Sequence, residues 1–216
     1  MDVEEQVEEG LRARKKRETR ARIAKTAMAL FTERGFDAVS VAEIARAADV
    51  SEKTVFNYFP TKEDLVADRG ERRLLLLEQA IRDRPAGASL VEPFRSLTLF
   101  MLDTVEFEPV ETTTAIPRLV MESRSLRERL FLGWEQEAER VTQLLAEETG
   151  ADPDDLVPHA MARALTWAHR TIFRAAFQRL LDGEDQAVVA RELRRETKRI
   201  YQQLEMGLAT YGRRPG

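Results

Sequence analysis

The sequence predicts an all-α protein: an N-terminal three-helix helix-turn-helix domain followed by a larger α-helical domain. Residues 40–62, SVAEIARAADVSEKTVFNYFPTK, hold two short amphipathic segments, a tight turn and a proline stop without slack. Beyond them the chain reads as helices throughout, broken at Glu108-Pro109, around residues 150–153 and at Asp182-Gly183. A chain of 216 residues with 43% hydrophobic content is long enough to bury a substantial core in one or two domains.

Taken in order, residues 1–16 are read as a disordered arm, acidic over MDVEEQVEEG and then basic. A long helix is predicted from about Leu11 or Lys16 to Arg34, with Ile23, Ala27, Leu30 and Phe31 on one face and Gly35 as its stop. Ser40 can cap the next helix, because its hydroxyl can accept a backbone N–H left free at a helix start, and Glu43 completes a capping box. Val41, Ile44, Ala45 and Ala48 then form a narrow apolar stripe whose alanines let another helix approach closely. Asp49 is one of the few non-glycine types that tolerates the left-handed turn required there. Ser51 caps the second short helix. Val55 and Phe59 face the core, while Lys53, Thr54, Asn57 and Tyr58 fall on other faces. Pro60 ends this helix by removing a donor and disfavouring helical geometry before it. Thr61 caps the following one, with Asp64 three residues on.

The net charge of −4 would argue against a nucleic-acid partner if it were evenly spread. It is not. Residues 1–10 carry five acids and no base; residues 11–69 carry 13 Lys or Arg against 9 Asp or Glu; residues 70–216 carry 21 against 24. The basic excess lies with the helix-turn-helix, concentrated in Arg12, Arg14, Lys15, Lys16, Arg17, Arg20, Arg22 and Lys25. These are read as phosphate contacts beside the motif, against a solvated helix face. Lys53, Thr54 and Asn57 have the reach and donors for base edges or nearby phosphates. Lys62 sits where the positive end of the next helix helps to hold an anion. The absence of cysteine excludes a disulfide framework. No apolar run approaches the roughly 20 residues that cross a bilayer, and the acidic start is unlike a signal peptide, so a cytoplasmic protein with no membrane partner is expected.

The run TVFNYFPTKEDLV, preceded by AEIARAADVS and ALFTERGFDAVSV, resembles the signature of the TetR family of bacterial regulators across roughly residues 17–77. Two departures stand out: Asp49, where the family usually has glycine, and Glu52, an acid at the edge of the recognition helix, which makes borrowed base preferences unsafe. The resemblance implies that Tyr58 and Lys62 hold phosphates and that Ser40 and Ser51 add contacts at helix starts. It also implies that the fourth helix, expected over about residues 61–82, is a lever between a DNA-binding head (17–77) and a ligand-binding and dimerisation body (78–216). Leu74, Leu75, Leu76 and Leu77 cover more than one face of that helix and are expected to be buried between partners.

In the body, helices are expected over 89–107, 113–122 with Pro117 near the start, 124–149, 153–181 and about 186–209. Phe94, Phe100, Met101, Met121, Trp134, Met161, Trp167 and Phe173 are candidate walls of an apolar ligand pocket, with plain core packing as the competing reading for each. The last two long helices suit a homodimer interface. Arg163, Arg170 and Arg174 could be solvated, pair across that interface, or meet an anionic ligand head group. PRLVMESRSLRERL, Trp134 and TGADPDDLVPHAMARAL resemble the body of TetR-family proteins grouped with the mycofactocin-associated regulator, which implies an acyl-CoA-like ligand. No catalytic motif, metal-ligand spacing or cofactor fingerprint was found; His159 and His169, ten residues apart, lie on different faces of one helix. The expected function is a transcriptional regulator, a homodimeric repressor of double-stranded operator DNA released by a small-molecule effector. An activator with the same head is the alternative, with a helical enzyme or metabolite-binding protein behind it.

Overall fold

The computed structural model describes residues 3–85 and 87–207. Among these residues every regular element is a helix: α1 (Val3–Arg34), α2 (Val41–Ala47), α3 (Glu52–Tyr58), α4 (Asp64–Arg82), α5 (Val91–Phe107), α6 (Val110–Glu122), α7 (Arg124–Thr149), α8 (Val157–Leu181) and α9 (Gln186–Met206). The chain forms two compact units, residues 1–70 with 118–130, and residues 71–117 with 131–216.

The first unit contains the helix-turn-helix. Ile23, Ala27 and Phe31 of α1, Ile44 and Ala45 of α2, Val55 of α3, and Phe59 are all buried, so the expected apolar stripes do form one three-helix core. Helix α1 begins at Val3, so the segment expected as a disordered arm is helical from that point. Its run of Glu, Gln, Arg and Lys without proline has high intrinsic helix propensity and extends the helix that the apolar face anchors further on. Gly35, with a φ of 84°, closes α1 as its amide donates to Phe31 O at 2.8 Å. The second unit buries Leu74, Leu77 and Ile81 of α4 with Phe94, Leu102 and Val105 of α5, Val141 and Leu145 of α7, Ile172 and Phe173 of α8, and Val189, Leu193 and Tyr201 of α9.

Two expectations change. The four leucines of α4 divide: Leu74 and Leu77 are buried, whereas Leu75 and Leu76 are exposed. Three residues is close to one helical turn, so the outer pair shares a face that the inner pair cannot join. Pro117 lies well inside α6 rather than near its start. In the turn before it, the Thr113 and Thr114 hydroxyls both donate to Val110 O.

Candidate nucleic-acid interface

Helix α3 is positioned at both ends by its own sequence. The Ser40 hydroxyl accepts the Glu43 amide (3.2 Å) and the Glu43 carboxylate accepts the Ser40 amide (2.9 Å), which closes the capping box of α2. Donation from the Ser40 amide, then from its hydroxyl and from Arg34, holds the Glu43 carboxyl at a pKa of about 2. The turn to α3 passes through Asp49 with a φ of 53°, the left-handed conformation expected there. Ser51 caps α3 by accepting the Thr54 amide at 3.0 Å, and the chain leaves the helix through Phe59 before Pro60.

With Val55 and Phe59 buried, the rest of α3 faces outward. Lys53 and Asn57 are exposed and Thr54 and Tyr58 half-buried. Between them stands Phe56, 46% exposed, a large apolar side chain that the sequence reading passed over. The signal was present: residue 56 lies about 100° around the helix from Val55, off the core face. The hydroxyls of Ser51 and Thr54 lie 2.8 Å apart, so one of the two uses its proton on the other and the second keeps a donor free. Ser40 is more committed, since its hydroxyl proton goes to Glu43 Oε2.

Two cations expected at phosphates also make contacts within the head. Arg20 donates from Nε to Asp68 Oδ1 (2.7 Å) and from Nη1 to Tyr58 O (2.8 Å), with its guanidinium 4.5 Å over the Phe59 ring. It thereby ties α1 to the end of α3 and to α4. Lys62 places its ammonium 4.3 Å over the Phe36 ring and 5.8 Å over that of Phe31. Burial there lowers its pKa, an effect opposed by Asp37. Thr61 and Asp64 form a second reciprocal cap, with Thr61 N donating to Asp64 Oδ2 and Asp64 N to Thr61 Oγ1. Asp64 also takes Arg129 at 2.6 Å, and Ser123 Oγ donates to Asp37 Oδ1 at 2.9 Å. The 118–130 segment is thus fastened to the head by polar contacts as well as by buried Leu119 and Leu126.

The eight candidate ligand-lining residues differ in burial, and Met121 lies in the first unit. Phe94 and Phe173 are core and Met101 is packed against that core, while Phe100, Met121, Met161 and Trp167 are exposed. Met161 lines a cavity of about 370 Å³, formed with Leu90, Leu145, Val157 and Pro158 and rimmed by Asp152 and Asp155. Trp134 and Trp167 instead flank Arg170. His169 is buried: its Nδ1 lies 2.8 Å from Thr98 Oγ1, which Tyr201 Oη approaches at 3.0 Å. His159 contacts Arg163, four residues on, through Nε2 at 2.9 Å. Among the described residues, no group of three His, Cys, Asp or Glu could hold a metal ion, and no helix is long and apolar enough to cross a membrane.

Residues 23–68 match the family of bacterial regulatory proteins of the tetR type, and residues 91–207 match the MftR C-terminal domain. The chain is 29% identical over 151 residues to the HTH-type transcriptional regulator TcmR of Streptomyces glaucescens, covering 68% of this chain and 67% of TcmR. It resembles the FadR repressor of Thermus thermophilus, solved with lauroyl-CoA, at 27% identity and a TM-score of 0.53 over 91% of this chain and 100% of that one. Native NalD of Pseudomonas aeruginosa shares the fold, with a TM-score of 0.56 and 22% identity over 86% and 96% of the two chains. These relatives act on transcription and are not enzymes. The chain belongs to the TetR family of bacterial regulatory proteins, as a helix-turn-helix transcriptional regulator with an MftR-type C-terminal domain.

Proposed function

We propose that this regulator is a homodimeric repressor that sets two α3 helices in successive major grooves, about 34 Å apart, on a roughly palindromic operator. The observation that carries the reading is the outward face of α3, where Lys53, Asn57 and the Ser51–Thr54 hydroxyl pair stand exposed or half-exposed over buried Val55 and Phe59. Lys53, Thr54 and Asn57 read base edges or adjoining phosphates; Tyr58, Ser40, Ser51 and Lys62 take the backbone. Dimerisation uses α8 and α9.

A small, largely apolar effector in the second unit releases the operator. The lauroyl-CoA bound by FadR supports an acyl-CoA-like molecule. Such an effector acts only by binding the DNA-incompatible conformation better than the other, and a tenfold loss of operator affinity needs about 1.4 kcal/mol of that difference. The chain passes between the two units three times, after residues 70, 117 and 130, so α4, α6 and α7 are the covalent routes for the signal. The Arg129–Asp64 pair joins the 118–130 segment to the first residue of α4.

An anisotropy titration against the DNA upstream of the protein's own gene and its neighbours tests the reading, with Lys53→Ala, Asn57→Ala beside the unaltered chain. Tight binding that weakens with salt and is lost in the double variant is expected. Equal binding by the two proteins would remove α3 from operator recognition. Equal operator affinity with and without every bound ligand would remove the effector.

A further inference from the structure

Of Arg163, Arg170 and Arg174 on α8, only Arg170 is drawn into the helical body, with 11% of its side chain exposed. Arg163 pairs at the surface with Glu135, and Arg174 is exposed. The Arg170 guanidinium lies 5.2 Å from the Trp134 ring and 5.7 Å from the Trp167 ring. Its Nη2 donates to Trp134 O at 2.8 Å and, over a long 3.3 Å, to Glu137 Oε2. Its Nε is buried and has no partner. Arg73 of α4 reaches the same Glu137 oxygen only at 3.8 Å.

Two guanidinium groups therefore share one carboxylate, itself 13% exposed. Among the described residues, neighbouring charges do not correct the imbalance. Glu135 is taken by Arg163, and Glu78 pairs with Arg140. His169 adds no positive charge near neutral pH, because burial, followed by Arg73 and Arg170, pushes its pKa down to about 3. A structural ion pair in such a place would match one cation to one anion and satisfy every N–H, and apolar packing would serve stability at least as well. Among the described residues this cluster has one positive charge and one donor in excess.

We propose that Arg170, assisted by Arg73, anchors the anionic head group of an amphiphilic effector, a carboxylate or phosphate seated beside Trp134 and Trp167. The inference rests on the reading that the C-terminal unit takes an effector, and it adds the sign of the head group. The 370 Å³ cavity at the start of α8 is a different place, and its Asp152 and Asp155 rim repels anions. An anion that reaches the Arg170 guanidinium gains a charge-assisted hydrogen bond from the unpartnered Nε and offsets the uncompensated charge.

The chain has two tryptophans, and both flank this arginine, so intrinsic emission reports on the site directly. Full-length protein is titrated with decanoate, decyl phosphate, decanol and decyltrimethylammonium, which share a chain length and differ in head group. The two anions are expected to shift the emission saturably at concentrations about tenfold or more below those needed for decanol or the cation. Their relative strengths separate a carboxylate from a phosphate effector. Arg170→Gln is expected to abolish the preference while leaving decanol binding within about twofold, and the more exposed Arg73→Gln to reduce it. Urea curves confirm that both variants fold; if Arg170→Gln does not, Arg73→Gln carries the comparison. Equal affinity for decanoate and decanol, or a preference that survives both substitutions, overturns the anion site and leaves the effector reading in place. No response to any of the four removes both, while operator binding by the same preparation shows that the protein is active.

Discussion

Lowering the pH should destabilise the C-terminal unit through His169 well before its carboxylates titrate. The side chain is buried against Thr98 and Phe173, with Arg73 and Arg170 near it, and its pKa falls from 6.5 to about 3. The unfolded chain therefore binds a proton that the folded chain refuses. Stability is intact above pH 6.5 and is lost as the pH drops from there toward 3, at up to about 1.4 kcal/mol per unit. At pH 5.5 the unfolded imidazole is about nine-tenths protonated and the folded one neutral, which costs about 1.4 kcal/mol relative to pH 7.5. Carboxylates with lowered pKa, such as Asp64 and Glu184, lose their contribution only at lower pH, so the window from 7.5 to 5.5 isolates the imidazole. Urea unfolding followed by tryptophan emission measures this, at one fixed protein concentration because dimerisation would shift the midpoint. His169→Gln should flatten the slope. A wild-type loss below about 0.5 kcal/mol over the window, or an equal loss in the variant, would refute the assignment.

Three further outcomes follow from single contacts. Thr98 Oγ1 has one proton and three partners, and since Phe94 O can only accept, His169 Nδ1–H and Tyr201 Oη–H must donate to Thr98. Thr98→Val strands both buried donors and should cost about 2–4 kcal/mol in urea unfolding, against about 1 for Tyr201→Phe. Arg20→Ala removes the guanidinium from the buried Asp68 carboxylate; because Arg20 is 42% exposed, about 1–2 kcal/mol is the expected loss, and a calorimetric melt indistinguishable from wild type would contradict the contact's role. Phe56→Ala should leave the melt unchanged but weaken operator binding about fivefold, as expected if this exposed ring packs against the DNA, and an unchanged affinity would remove Phe56 from the interface.

The head was legible because its signals are local. Ser40 and Glu43, Ser51 and Thr54, and Thr61 and Asp64 cap across three residues, and each pair forms in the structure. The left-handed Asp49 and the stop at Gly35 are likewise properties of single positions. What stayed hidden depends on pairing at a distance. Arg20 looks like any other cation of the basic leader until Asp68, 48 residues on, is brought to it. Thr98, His169 and Tyr201 span more than 100 residues, so no spacing rule joins them. In the body, periodicity marked the helices correctly but could not say which apolar residues share a face with a neighbour. Phe94 and Phe100 are both phenylalanines of α5, six residues apart, and one is core while the other is exposed.

The commitment of Arg20 to the head changes where neutralisation of DNA can come from. Lys53 is the only cation within α3, and Glu52 beside it offsets its charge. Lys15, Lys16, Arg17, Arg22 and Lys25 on α1 remain exposed. Arg14 is exposed as well, paired only with exposed Glu18 at 3.5 Å, a contact weak enough for a phosphate to replace. Counterion release scales with phosphates neutralised and not with base contacts, so the proposed reading expects most of the salt dependence from α1 and most of the sequence preference from α3. The two helices are welded by Arg20, which bonds from α1 to the last carbonyl of α3. The register between phosphate contact and base readout is therefore set inside one rigid three-helix core, and an effector that displaces the head moves both together.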